Sequence, residues 1–295
     1  AIEAYTGLIF AEEKLKINQD NVNLLERQVE TDQARLERGQ ITLSDLSQSE
    51  SSLAGAQAKF LQAQNETVTS KLNYEKIIGP IADINSLDKE SDLNFALPVS
   101  LNEAIEISKK DNPNLIISRL EYEQSEKDMI IARSDLSPSA SLSFNSSKSD
   151  DVSSTIGERD KEILKATISW PIFSGGKNYA SLNKSKNLKN RKKLLLDDVV
   201  RTNQTNVASA WSSLEASKGF LNSVKAQVRA AQIANDGIAA EYERGSRTTL
   251  DVIQSNALLL SAQISLASSE KNYLMAQYNL LKAVGLLNSQ YLKLK

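Results

Sequence analysis

The chain contains no cysteine and no histidine. The first absence excludes a disulfide framework and thiolate metal sites. The second removes the commonest general base and the commonest metal ligand. No cofactor or metal site is expected, and an enzyme would have to work with carboxylates alone. Aromatic residues make up 5% of the chain, and there are 5 prolines and 11 glycines in 295 residues. With so few breakers and so much Ala, Leu, Ser, Gln, Glu and Lys, long helices are favoured over a mixed globular core. No apolar run approaches the ~18 residues of a spanning helix. A net charge of −2 gives no electrostatic case for nucleic acid.

What is present is a repeated stretch. Leu36-Glu37-Arg38-Gly39-Gln40-Ile41-Thr42-Leu43-Ser44-Asp45 is answered by Tyr242-Glu243-Arg244-Gly245-Ser246-Arg247-Thr248-Thr249-Leu250-Asp251. The offset is constant, since 245 − 39 and 251 − 45 are both 206. Each copy reads as a helix stop followed by a helix start. Glycine suits the left-handed residue that ends a helix, and the arginine before it complements the negative end of the dipole. Thr42 with Asp45, and Thr248 with Asp251, have the spacing of a capping box. So short a turn sends the second helix back along the first.

The match continues without a gap. Ala4, Leu8, Leu15, Val22 and Ala34 recur as Ala210, Leu214, Leu221, Val228 and Ala240. Downstream, Gln48, Ser49, Leu53, Asn73, Lys76 and Gly79 recur as Gln254, Ser255, Leu259, Asn279, Lys282 and Gly285. Identity at one fixed offset marks an internal duplication, with a period too long for a solenoid.

The first hairpin is expected over residues 1–79. Leu8, Leu15, Val22, Val29 and Leu36, spaced by seven, form its packing seam. On the returning helix Leu46, Leu53, Phe60 and Leu61 are placed on the inner side, and the alanines and serines of 51–58 allow close approach. A linker follows over 80–99. Leading helices occupy 100–137: Ser100 caps one running to Lys110, and Asn112-Pro113 starts another that Pro138 stops.

Between 138 and 173 the period changes to two. Ser139–Asn145 and Leu164–Ile172 alternate apolar and polar residues, separated by a Ser/Asp-rich loop at about 146–160. The apolar face suits either packing on a helix or contact with lipid. Trp170 and Phe173 suit an aromatic girdle at the membrane interface. The second long hairpin spans 174–285, and a tail follows over 286–295. Residues 177–243 hold no proline, so the helix is a rod on the order of 100 Å that must pack along partners. Its Lys-rich start is a solvated face or, as a lesser reading, lies near anionic head groups. The chain opens at Ala1 inside a helical pattern, as a fragment would.

Four features resemble the TolC family of outer-membrane efflux and secretion ducts. The two tips share its Gly-x-x-Thr-x-x-Asp form. Trp170-Pro171-Ile172-Phe173-Ser174-Gly175-Gly176 is similar to its strand-to-helix junction. Ser100-Leu101-Asn102-Glu103-Ala104-Ile105, followed by Asn112-Pro113-Asn114-Leu115, is similar to its repeat opening. Leu136-Ser137-Pro138-Ser139 is similar to its entry into a barrel strand. The likeness covers essentially the whole chain, with the second repeat complete from about Ser100 and the first present only from the rear of its long helix.

The resemblance implies a mainly α fold with a membrane β-hairpin. Long antiparallel helical hairpins would form an α-barrel, and the strands part of a trimeric outer-membrane β-barrel. Two strands stand here where the family has four. It implies a homotrimer in the outer membrane and its lipid, reaching into the periplasm of a Gram-negative cell. A periplasmic adaptor and an inner-membrane transporter are the implied partners, with no chemistry performed by the duct. By position, Ser44, Asp45, Tyr242 and Arg247 correspond to the periplasmic gate, and Asp251 to an acidic ring in the pore. Gly39, Thr42, Gly245 and Thr248 correspond to the tips on which the adaptor docks. The plainer alternative makes Asp45 and Asp251 only capping acids and Arg247 a solvated turn residue. A soluble coiled-coil scaffold of the cell envelope is the rival for the whole chain; it explains the hairpins but not the alternating strands.

Overall fold

The computed structural model describes residues 1–81, 83–84, 87, 89, 97–153 and 156–288. In chain order the elements are α1 (Ile2–Glu37), α2 (Leu43–Ile77), α3 (Leu101–Asp111), α4 (Pro113–Ser134), β1 (Ser139–Ser153), β2 (Ile156–Ser169), α5 (Lys177–Glu243) and α6 (Thr249–Val284). Residues 289–295 of the tail expected over 286–295, and much of the linker expected over 80–99, lie outside the described residues. The chain divides into two compact units, residues 1–105 with 206–295 and residues 106–205.

In the first unit α1 packs on α2, and both meet α6. Val22 and Leu25 of α1 bury against Ala56 of α2, with Leu24, Leu53 and Phe60 packed around them. The small side chain at position 56 permits this close approach. Thr67 of α2 donates its hydroxyl across the seam to the Ala11 carbonyl at 3.2 Å. Leu8 is fully buried, and Val22 and Leu46 nearly so, as the seam requires. Leu61 is not: it is 62% exposed. Adjacent residues on a helix point about 100° apart, and Phe60 takes the inward position. From the linker, Lys89 reaches Glu13 of α1 at 2.7 Å and Glu270 of α6 at 2.5 Å. Val207, Leu214 and Leu221 bury at heptad spacing on α5.

In the second unit, Asn112 caps α4 by accepting the amides of Asn114 and Leu115, with Pro113 in the first turn. Lys189 and Lys192 of α5 pair with Glu126 and Glu121 of α4 at 2.9 and 2.8 Å. Part of the Lys-rich start therefore faces α4 rather than open solvent. Asn203 donates to Ser108 of α3 at 2.9 Å between buried side chains.

The strands β1 and β2 form one antiparallel hairpin. The loop expected at 146–160 is a correction: pairing continues from Ser146↔Glu162 to Asp150↔Glu158, and only the register between Asp150 and Ser153 is irregular. Lys148 stands opposite Asp160 and pairs diagonally with Glu158, and such cross-strand charge contacts let polar residues extend the strands. At the other end β2 stops at Ser169, before Trp170-Pro171, because proline cannot donate to a ladder.

Candidate functional site

The two helical tips have the same architecture. In each, two amides close onto the preceding helix: Gly39 onto Leu36 and Gln40 onto Arg35, Gly245 onto Tyr242 and Ser246 onto Glu241. This is the Schellman pattern, with Gly39 at φ 69° and Gly245 at φ 79°. A Cβ at either glycine would meet nothing within 4 Å, so the left-handed backbone and not crowding within the chain demands glycine. Thr42 and Thr248 then open the next helix with complete capping boxes.

Asp45 and Asp251 are both committed to these caps. Each carboxylate accepts from the amide and hydroxyl of its threonine, at 2.9 and 2.7 Å for Asp45 and 3.0 and 2.8 Å for Asp251. Those bonds hold both carboxyls below the ordinary range, with a smaller contribution from Arg247 at Asp251. Ser44 is exposed. Arg247 is paired within its own turn, donating to Glu241 at 2.6 Å, and this contact raises its already high pKa. Within the chain, then, Arg247 and Asp45 do not meet.

Tyr242 lies elsewhere. It is 4% exposed, and its phenol hydrogen-bonds the carboxylate of Asp32, which is 0% exposed. Ser49 of α2 donates to the same carboxylate at 2.5 Å, and Gln28 reaches both its oxygens at 3.0 and 3.1 Å. Thr249 of α6 stands 3.3 Å from the phenol. The guanidinium of Arg35 stacks 4.1 Å over the Tyr242 ring. It also donates to the backbone carbonyls of Tyr242 and Glu243, where the negative end of α5 favours a cation. Burial pushes the phenol above its usual pKa, and the bond to Asp32 adds to this. Asp32, Arg35 and Ser49 were not among the candidate residues. The repeat gave no signal for Asp32: its counterpart at offset 206 is Ile238, but none of residues 23–33 matches its counterpart.

The hairpin offers a different surface. Register places Ala140, Leu142 and Phe144 opposite Ile168, Ala166 and Leu164, so that all six share one face. Ser141, Ser143, Lys165 and Thr167 share the other. Side chains described on both strands are exposed throughout, with Ile168 at 79%. The apolar face is thus not tucked against the helices. Beyond the strand Trp170, Ile172 and Phe173 are exposed too, Phe173 at 89%. Trp170 donates its indole N–H to the Leu136 carbonyl at 3.4 Å, which keeps one polar end satisfied. Among the described residues no helix is long and apolar enough to cross a membrane.

The family model described as "Outer membrane efflux protein" matches residues 104–286, more than half of the chain. The chain belongs to the outer membrane efflux protein family. Among relatives of this family, the outer membrane efflux protein BepC of Brucella suis biovar 1 (strain 1330) is 27% identical over 296 residues, covering 100% of this chain and 64% of BepC. The alkaline protease secretion protein AprF of Pseudomonas aeruginosa is 24% identical, covering 99% of this chain and 62% of AprF. The outer membrane protein TolC of Escherichia coli (strain K12) is also 24% identical, over 97% of this chain and 61% of TolC. The chain thus spans less than two thirds of the length of each.

Solved structures carry the same fold. The outer-membrane channel OprN superposes with a TM-score of 0.81 at 21% identity, covering 96% of this chain and 64% of OprN. The Campylobacter jejuni CmeC outer membrane channel gives 0.75 at 14% identity, covering 96% of this chain and 61% of CmeC. The architecture is therefore mainly α, with the long helices and small antiparallel sheet of an outer-membrane channel protomer.

Proposed function

We propose that the chain forms part of the exit duct of a tripartite efflux pump or type I secretion system. It lies in the outer membrane and reaches into the periplasm. The observation that carries this reading is the hairpin: one face apolar, that face wholly exposed, in a chain whose helices have duplicated capped tips. An uncovered apolar sheet face is costly in water but suits lipid. The names of BepC, AprF and TolC support the same assignment.

Three copies build the duct as a homotrimer, each contributing strands to one barrel and helices to one tube. The periplasmic adaptor docks on the tips around Gly39, Thr42, Gly245 and Thr248, and an inner-membrane transporter supplies the energy. The duct performs no chemistry. Ser44, Asp45, Tyr242 and Arg247 form the gate, with Arg247 exchanging Glu241 for a carboxylate of the neighbouring protomer. An exposed pair such as Arg247–Glu241 is cheap to break. Asp251 lines the constriction, and Trp170 and Phe173 sit at the membrane interface.

Extraction of full-length protein from cell envelopes tests the reading. A duct is released by detergent and resists high salt, and it conducts in planar bilayers. Release by salt alone assigns the chain instead to a soluble envelope scaffold.

A further inference from the structure

We propose that Asp32 is an internal latch of the tip, a buried positioning residue that holds Tyr242 to its own protomer and keeps the two hairpins closed on each other. The proposal rests on the reading of the tips as the closed end of a duct and adds a residue to that gate.

A carboxylate with no exposed surface must be supplied with donors. Asp32 draws them from three helices: Gln28 from its own, Ser49 from α2 and Tyr242 from α5. One turn further along α1, Arg35 grips the same tyrosine from the other side, through its ring face and its backbone carbonyl. Tyr242 is therefore held by α1 at both its phenolic end and its backbone. The first hairpin cannot move away from the end of α5 without exposing or stranding this carboxylate. Low dielectric around the site strengthens each bond and penalises any donor withdrawn alone.

The consequence for gating is a division of labour. Tyr242 is occupied within its protomer, whereas Asp45 and Arg247 sit at the exposed turns, where a neighbour can reach them. Opening then needs two events, release between protomers and release of the latch within each one.

The test uses the full-length trimer in planar bilayers, with Asp32→Asn, Tyr242→Phe and the double variant. An asparagine offers one carbonyl oxygen to three donors, so it cannot replace the carboxylate. Each single change is expected to raise resting conductance several-fold, and the double to add little beyond the larger single. The phenolic carbon of Tyr242, observed by NMR in the same trimer, is expected to shift in Asp32→Asn. Additive conductance effects, or an unmoved Tyr242 resonance, overturn the latch. Should Asp32→Asn prevent trimer assembly, Tyr242→Phe removes a single oxygen and decides alone: unchanged conductance overturns the proposal. Failure of the duct reading is distinguishable, because the unaltered protein would then not conduct at all, while the resonance would still report the Asp32 contact.

Discussion

Thr42 and Thr248 make the same reciprocal bonds in the two halves of the chain: each hydroxyl accepts the amide of the aspartate three residues on, at 3.2 Å in both. The duplication is thus conserved within the molecule at the level of single hydrogen bonds, and the differences between the tips stand out against it. Arg247 and Tyr242 have Ile41 and Leu36 as their counterparts. The second tip carries a cation and a phenol that the first lacks.

Removing a cap is the mildest way to loosen a tip. Thr42→Ala or Thr248→Ala costs about 1 kcal/mol of local helix stability. Amide hydrogen exchange in the first turn of α2 or α6 should accelerate in the matching variant while the other tip keeps its rate. Equal protection in both variants would show that packing, not the capping box, holds these ends.

The same caps set a pH limit. Asp45 and Asp251 have carboxyls held below the ordinary range by the threonine bonds. A depressed folded value contributes stability above the unfolded pKa, and that stability is lost as pH falls through the folded value. Protection factors at the tips, with the intrinsic pH dependence of exchange divided out, should stay flat from neutral pH down to about 5 and fall only below about 4, under the ordinary aspartate value. Loosening already complete at mildly acidic pH would mean that some other group governs the tips.

Local chemistry was legible in the residues alone. Gly39, Gly245 and Gly285 all adopt the left-handed conformation that their positions after a helix demand. Asn112-Pro113 opens α4, and the alternation at 139–145 is a strand, because each depends on neighbours in sequence. What depends on distant partners was not legible. Ser146–Asp150 look like loop until Glu158–Glu162 are placed opposite them. Asp32 sits on α1 among polar residues, and an apolar pattern gives no reason to bury it. Only Tyr242 arriving from another hairpin makes it a site.

The hairpin's two faces should respond oppositely to charge. Ile168→Lys places an ammonium on the apolar face, which costs about 2–4 kcal/mol if that face meets the bilayer midplane. Thr167→Lys places it on the polar face one residue away. The fraction of full-length protein reaching the folded, heat-modifiable form on SDS gels should fall for the first and hold for the second. Equal tolerance at both positions would remove lipid from the account of β1 and β2.

At the gate, Arg247→Ala or Asp45→Ala should raise resting conductance of the full-length trimer in planar bilayers. Glu241→Gln supplies the control. It removes the partner that Arg247 has within its own turn, an exposed pair that water and salt screen, and should leave the closed state intact. Conductance unchanged in Arg247→Ala would return this residue to the role of a solvated turn cation. A rise in Glu241→Gln alone would place the closing contact inside the turn.

Asp251 combines two tasks that one substitution can separate. Its carboxylate caps α6, and an asparagine there still presents a carbonyl oxygen to the Thr248 amide. Asp251→Asn therefore keeps most of the cap and removes the charge. With three copies around one narrow pore, the charge favours cations over anions. The position three residues on is Gln254, so no second acid in that turn reinforces the ring. Reversal potential under a salt gradient should move toward the value of a nonselective pore in Asp251→Asn, with tip exchange accelerated no more than protonation of the same carboxyl accelerates it. A reversal potential identical to that of the unaltered channel would leave Asp251 a capping residue and nothing more.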